Sequence, residues 1–397
     1  MQPDLTQLLH LIENMPVYNQ LVEGVKRQND GMRVVMLDAA KPYFMAALYR
    51  SLRIPMLVVT SQPENCKELY EQLSTWSDSQ VKLFPEPDAL PYERISSDAS
   101  TALERVQVLS SLVSYDCSDP STDAPLIVTS TPALIGKTTL HADFATTCHT
   151  IKLGMEVEPF GLLRQWEAMG YRMESMVEVQ GTVSHRGSIL DIYPPTDELP
   201  ARIEFYGNTV ESIRLFDPAN QRSLKTVPYI DIGPATELLA PLIKDKLELE
   251  KVLSNIDLSG CTPEVSGQFK QRIAMLLDRQ RPPDVQFLAP IFNRDSILNY
   301  LPRNALLILD EPMNIEQAVE ELDTGAEQMR SDKLERGELP RNFPRPYFTW
   351  DELEPYIKGK QHLMLNGWGI DGHRLSFISA PGYAGQLSSF IGSSSIR

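Results

Sequence analysis

The stretches QGTVSHRGSILDIYP (residues 180–194) and RIEFYGNTVESIRLFD (residues 202–217) carry the two-residue period of an antiparallel β unit. Successive side chains on a strand point to opposite faces, so a slip of one residue would turn the whole set over. In the run from Arg202 to Tyr206, Ile203 and Phe205 fall on one face, and Arg202, Glu204 and Tyr206 on the other, exposed one. Gly207-Asn208 is a hairpin-turn signal, after which Val210 to Phe216 returns with Ile213 and Leu215 on its buried side. Arg186-Gly187 marks a loop feeding an earlier strand, Ser188 to Tyr193, which Pro194-Pro195 closes. No catalytic group stands in this unit. It holds Arg186, Arg202 and Tyr206 out, and an arginine flanked by an aromatic is the composition of an interface anchor. On spacing alone, solvated arginines with local salt partners, which contribute little, remain the alternative.

Strands alternate with helices on both sides of this unit. An amphipathic helical lead over residues 5–28 precedes the strand Val34 to Leu37, a helix through Met45 to Tyr49 and the strand Met56 to Val59. There follow a helix from Pro63 to Trp76, a strand from Val81 to Phe84, a helix from Ser100 to Val113 and the strand Leu126 to Val128. This alternation predicts a parallel sheet covered by helices on both faces. Helices return from residue 238, and the strand Ala305 to Leu309 is expected to rejoin the first sheet. Leu339 to Pro346 reads as a linker or surface loop. The expected organisation is an α/β domain in two halves, 1–150 and 238–350, split by a β-rich insert at 151–237 and followed by a tail at 351–397.

Composition sets limits on the partner. The chain has 397 residues, of which 42% are hydrophobic, enough for real cores in two or three domains. A net charge of −16 argues against wrapping DNA unaided, because duplex binding rests on many phosphate contacts from lysine and arginine. Within 151–237 there are 8 Lys+Arg against 13 Asp+Glu, so a few placed arginines must matter more than their sum. Cys66, Cys117, Cys148 and Cys261 lie far apart without metal-type spacing, which suggests a reducing compartment and no zinc site. No basic start with an apolar core opens the chain, and no run approaches the ~20 apolar residues of a membrane span. A cytoplasmic protein is expected.

Two places invite comparison with nucleotide chemistry. The strand ending at Leu37 leads into Asp38-Ala39-Ala40-Lys41-Pro42-Tyr43-Phe44, where a phosphate cradle would need glycines and a Ser or Thr hydroxyl for Mg²⁺. Both are missing, Asp38 would repel a triphosphate, and Lys41 reads as a solvated loop lysine. Gly136-Lys137-Thr138-Thr139 looks like the end of a phosphate loop, yet Thr131 stands where its first glycine should be, so a turn after a strand is expected. The strand Leu306 to Leu309 ends in Asp310-Glu311, the pair that in a working motor holds Mg²⁺ and positions water. Without a phosphate loop opposite, an acidic strand end at the solvent edge or near a helix N-terminus is expected. His141, His149 and His185 are scattered, Asp88, Glu93 and Asp98 sit at turns and helix starts, and Trp166 and Tyr171 suit core packing.

The combination of Arg186-Gly187 with Asp191-Ile192-Tyr193-Pro194, of Arg202 to Tyr206, and of Ser212 to Asp217 resembles the UvrA-binding domain shared by UvrB and the transcription-repair coupling factors. Residues 88–96, Gly161 to Tyr171 and Gln221-Arg222-Ser223 favour the coupling factors, and the resemblance covers most of residues 30–390. It implies a degenerate helicase-like (P-loop NTPase-like) parallel-sheet domain, without ATPase motifs, split by a UvrA-binding insert. By resemblance the contact residues fall on Arg186, Arg202 and Tyr206, the last often phenylalanine in the family. The implied role is non-catalytic recruitment of UvrA to lesion-stalled RNA polymerase in transcription-coupled nucleotide excision repair. This chain would need no cofactor; ATP and Mg would belong to a C-terminal motor that moves on DNA in the complete protein. Residues 380–387 resemble the approach to the family's next small domain, and Ser393 to Arg397 cut that element short, as in a fragment. The alternative is a UvrB-like ATP-dependent repair helicase with a divergent nucleotide site.

Overall fold

The computed structural model describes residues 5–28, 31–94, 99–118, 123–239, 246–278, 280, 282 and 284–367. Ile95, Ser96, Asp98 and the family-like tail segments at 380–387 and 393–397 therefore lie outside the described residues.

Two sheets organise the chain. The first is a parallel sheet of β1 (Met32–Val35), β2 (Met56–Thr60), β3 (Val81–Phe84), β4 (Leu126–Ser130), β13 (Leu306–Asp310) and β14 (His362–Asn366), in the order β1-β14-β13-β2-β4-β3. Alternate residues of its central strands serve two cores, because the pleat sends neighbours to opposite faces. Leu57, Val59, Ile127, Leu307 and Leu309 pack into one core, and Met56, Val58, Leu126, Leu306 and Ile308 into the other. The helices Lys41–Leu52 and Pro63–Trp76 cover the second core, with Met45, Leu48 and Leu73 fully buried.

Between β4 and β13 lies the β-rich insert. Its ends are joined by a two-stranded antiparallel ribbon of β5 (His149–Lys152) and β12 (Tyr229–Ile232), which brings the entering and leaving chain side by side. The insert's main sheet runs β11-β10-β9-β8-β7-β6, formed by β6 (Arg172–Met173), β7 (Thr182–Arg186), β8 (Ile189–Tyr193), β9 (Ala201–Tyr206), β10 (Thr209–Phe216) and β11 (Ser223–Thr226). Neighbouring strands are antiparallel except β6 and β7. The helix Pro159–Ala168 lies over one face, where Trp166, Val183, Leu190, Ile192, Ile203, Phe205 and Ile213 make the insert's own core. That helix ends at Gly170 with φ +96°, and a Cβ there would stand 2.6 Å from the Thr236 methyl. Only glycine fits both demands. Tyr171, next in the chain, is buried and donates its hydroxyl to the Gly233 carbonyl at 2.7 Å.

The segment from Leu339 to Pro346 has no regular structure, yet Leu339 and Phe343 are buried in the core beneath Phe269 and Phe287, so it is packed chain rather than linker. Residues 351–366, set apart above as tail, supply most of the helix Trp350–Lys358 and all of β14, which sits between β1 and β13. The helical lead is broken into Leu5–Leu9, His10–Glu13 and Pro16–Lys26, since Pro16 cannot continue a helix from the residues before it. Arg186 closes β7 rather than standing in a loop.

Candidate docking surface

The face of the insert sheet turned away from its core carries the candidate residues. Ile203 and Phe205 are buried as the alternation requires, which sends Arg202, Glu204 and Tyr206 to the opposite face. Gly207, at φ +61°, makes the turn from Tyr206 to its partner Thr209, and Gly187, also at +61°, makes the turn after Arg186. Both turns lie at the same end of the sheet. Tyr206 is 81% exposed and the Arg186 side chain 52%.

Arg202 differs from those two. Its side chain is only 18% exposed, and its guanidinium makes a two-pronged pair with Asp191, Nε to Oδ1 and Nη2 to Oδ2 both at 2.8 Å. The register of β8 against β9 places Asp191 directly opposite Arg202, so the pairing follows from strand alignment. Beneath the guanidinium lies the Phe216 ring, its centroid 4.6 Å from the Arg202 carbon, and the Gln221 carbonyl accepts a further bond from Nη1 at 3.3 Å. Gln221 is anchored by donating to the Val177 and Pro218 carbonyls, while Val177, Tyr193 and Phe216 form a small apolar cluster on this side. The expectation that Arg202 is held out toward a partner is thus corrected: it is half-buried and locked.

Asp191 also lies 3.6 Å from Arg186 Nη2. One carboxylate, 2% exposed, therefore faces two arginines. Farther along, Glu204 pairs with Arg214 and accepts from the Ser212 hydroxyl at 2.8 Å. Three arginines against two carboxylates leave this patch one positive charge, on a chain of net −16. The pairing of Asp191 with Arg202 is not legible in the sequence, because it depends on register and the connection from Tyr193 to Ala201 is too long to fix register by turn type. His185, beside Arg186, donates its Nε2–H to the Gly187 carbonyl at 2.7 Å and packs edge-on against Phe160.

The second place of interest is the carboxyl end of β1 and β13, where an open α/β sheet commonly binds its ligand. Lys41 is not the solvated lysine expected from sequence. Its side chain is 5% exposed and its Nζ lies 2.6 Å from Asp310 Oδ1, 2.7 Å from Glu311 Oε1 and 2.8 Å from Asp38 Oδ1. The Gly367 amide donates to the same Glu311 oxygen. Burial alone would pull the Lys41 pKa down, but the bonds to Asp310, Asp38 and Glu311 outweigh it and raise it. Asp310 is raised as well, its burial outweighing the attraction of Lys41. Glu311 reaches this geometry at φ +56°, a strained value for a side chain other than glycine.

These residues do not fit a nucleotide. The lysine that would meet phosphates is engaged by three carboxylates, the Asp-Glu pair that would hold Mg²⁺ is engaged by the lysine, and no glycine stands between Asp38 and Phe44. The other phosphate-loop lookalike is also committed. The Lys137 and Thr138 amides donate to the Pro346 and Asp295 carbonyls, and Lys137 Nζ donates to the Arg345 carbonyl at 2.9 Å. Among the described residues no group of three or more His, Cys, Asp or Glu side chains could hold a metal ion, and no helix is long and apolar enough to cross a membrane. His149 accepts from the buried Trp166 indole at 3.1 Å, so both are structural.

Comparison with known proteins points to the same stretch. Residues 150–238 match the UvrB interaction domain. The chain is 28% identical over 333 residues to the transcription-repair-coupling factor of Bacillus subtilis, an alignment covering 81% of this chain and 27% of the relative. It is 27% identical over 334 residues to the same-named protein of Myxococcus xanthus, covering 77% and 26%. The UvrABC system protein B of Pseudothermotoga lettingae is 23% identical over 368 residues, covering 84% of this chain and 55% of that protein. The chain thus spans about a quarter of the length of the coupling factors it matches.

Proposed function

We propose that this chain is a non-catalytic recruitment module that docks UvrA, as the N-terminal part of a transcription-repair coupling factor would. The observation that carries the reading is an arginine, Arg202, paired with Asp191 on the sheet face that also presents exposed Arg186 and Tyr206, all within the stretch that matches the UvrB interaction domain. Arg186 and Tyr206 at one end of a sheet, with Arg202 farther along the same face and the insert's own core behind them, have the make-up of interface hot spots. Their small positive surplus suits a local acidic patch on a protein better than a DNA backbone.

On this reading the parallel-sheet domain is a degenerate helicase-like (P-loop NTPase-like) frame, in which Lys41 pairs with the acidic end of β13. The chain itself would then need no ATP. In the complete protein an ATP-driven motor on DNA and a site for stalled RNA polymerase would lie in other regions, and the whole would work in the cytoplasm. Immobilised UvrA is expected to retain the unaltered chain and to release variants lacking Arg186 or Tyr206. An empty pull-down with the unaltered chain would reduce the module to a scaffold. Melting with Mg-ATP is expected to leave stability unchanged, whereas a ligand at a hundred times its dissociation constant would add about 2.7 kcal/mol. A shift of that size with hydrolysis would restore the helicase alternative.

A further inference from the structure

We propose that Asp191, which touches no partner itself, is the positioning residue of this docking surface. The inference rests on the reading of that surface as the UvrA site and adds what sets its geometry. The Asp191 carboxylate is almost wholly buried, holds both prongs of the Arg202 guanidinium at 2.8 Å, and lies 3.6 Å from Arg186. Phe216 supports the guanidinium from beneath and Gln221 fixes its remaining edge. Arg202 is therefore immobilised before any partner arrives.

A free arginine loses much rotameric freedom when it is pinned in an interface, and a planar fork held in advance loses less. Asp191 also restrains the charge of the patch: with it, Arg186 and Arg202 present one surplus positive charge, and without it two. The two effects oppose each other in kinetics. Loss of the carboxylate strengthens long-range attraction to an acidic partner while loosening the docked arginine, so association holds or quickens and dissociation accelerates. A defect of folding alone would lower the fraction of competent molecules and leave the dissociation rate unchanged.

The test has two arms. In the free chain, relaxation of the Arg202 Nε–H group should report a rigid side chain that becomes mobile in Asp191→Asn; a mobile Arg202 in the unaltered chain overturns the proposal. Against UvrA, Asp191→Asn should bind about tenfold more weakly through faster dissociation, and should weaken the Arg202→Ala variant no further. Equal affinity for Asp191→Asn and the unaltered chain, or penalties that simply add, also overturns it. If the unaltered chain itself fails to bind, the reading of the surface falls and the docking role of Asp191 with it, while the first arm still shows whether Asp191 orders Arg202. Should Asp191→Asn not fold, Arg202→Lys serves instead: it keeps the charge, loses the fork, and is expected to bind as weakly as Arg202→Ala. Full affinity for Arg202→Lys would overturn the claim that placement decides.

Discussion

At the scale of single residues, Lys41 and Arg202 are both cations that the fold has enclosed, and each makes a different use of it. Lys41 → Met would leave Asp38, Asp310 and Glu311 facing one another without a counter-charge, and is expected to cost about 3 kcal/mol in denaturant unfolding. Asp310→Asn should cost less, because Lys41 keeps two carboxylates and the burial that opposes the Asp310 charge is relieved. The sign of the pH dependence follows from the raised Lys41 pKa: its contribution is complete below the ordinary lysine value near 10.4 and is lost only as pH rises through the higher folded value. Equal stability of Lys41→Met and the unaltered chain at pH 8 would refute the account of this cluster. Arg202→Ala combines two effects, lost docking and a buried Asp191 without its main partner, so its UvrA affinity must be read beside its own unfolding curve. The sequence shows why each side chain is a candidate and hides what encloses it. Lys41 and Asp310 lie 269 positions apart, and nothing in the local pattern around either announces the other.

Elements were legible where patterns were local. The strand Val81–Phe84 and the helix Pro63–Trp76 follow their predicted limits, because flanking prolines and alternating or helical apolar spacing mark them. β14 escaped: His-Leu-Met-Leu-Asn contains no β-branched residue, and leucine and methionine are as much at home in a helix. The β5–β12 ribbon escaped for a different reason, since Ile151 and Ile230 pair across the whole insert and no short-range signal records that. The connection between β8 and β9 yields a prediction at this scale. Asp197 is pushed up to about 6, chiefly by burial and then by Asp231. A carboxyl raised in the folded state favours folding below its ordinary value near 3.9 and loses that contribution as pH climbs through about 6. Asp197→Asn should therefore be more stable than the unaltered chain at pH 8, by about 2 kcal/mol, with the gap closing toward pH 4. A gap that stays constant across this range would contradict the burial of Asp197.

For the whole molecule, the decisive fact is that one parallel sheet is assembled from chain on both sides of the insert. β2 pairs with β13 across the interruption, which is why the insert can carry a separate core while its ends stay fixed by the ribbon. Arg105 joins the two bodies: it pairs with Glu237 at 2.6 Å where the insert returns, donates to the Pro85 carbonyl at 2.6 Å and lies over the Phe84 ring. Arg105→Ala is expected to cost about 3 kcal/mol and to separate unfolding of the insert from that of the parallel sheet, seen as two transitions by calorimetry. A single unshifted transition would deny Arg105 that role. The division of labour was partly readable from the alternation of strands and helices around a β-rich middle; the closure of the sheet by β14 was not.

Docking as the function of this chain is decided by a titration of UvrA with the unaltered chain beside Tyr206→Ala and Arg186→Ala. Both side chains are exposed, so their removal should leave stability within about 0.5 kcal/mol. The unaltered chain is expected to bind, and each variant to lose at least tenfold in affinity without losing stability. Binding that is unchanged in both variants, or absent in the unaltered chain, would contradict a docking role for this face.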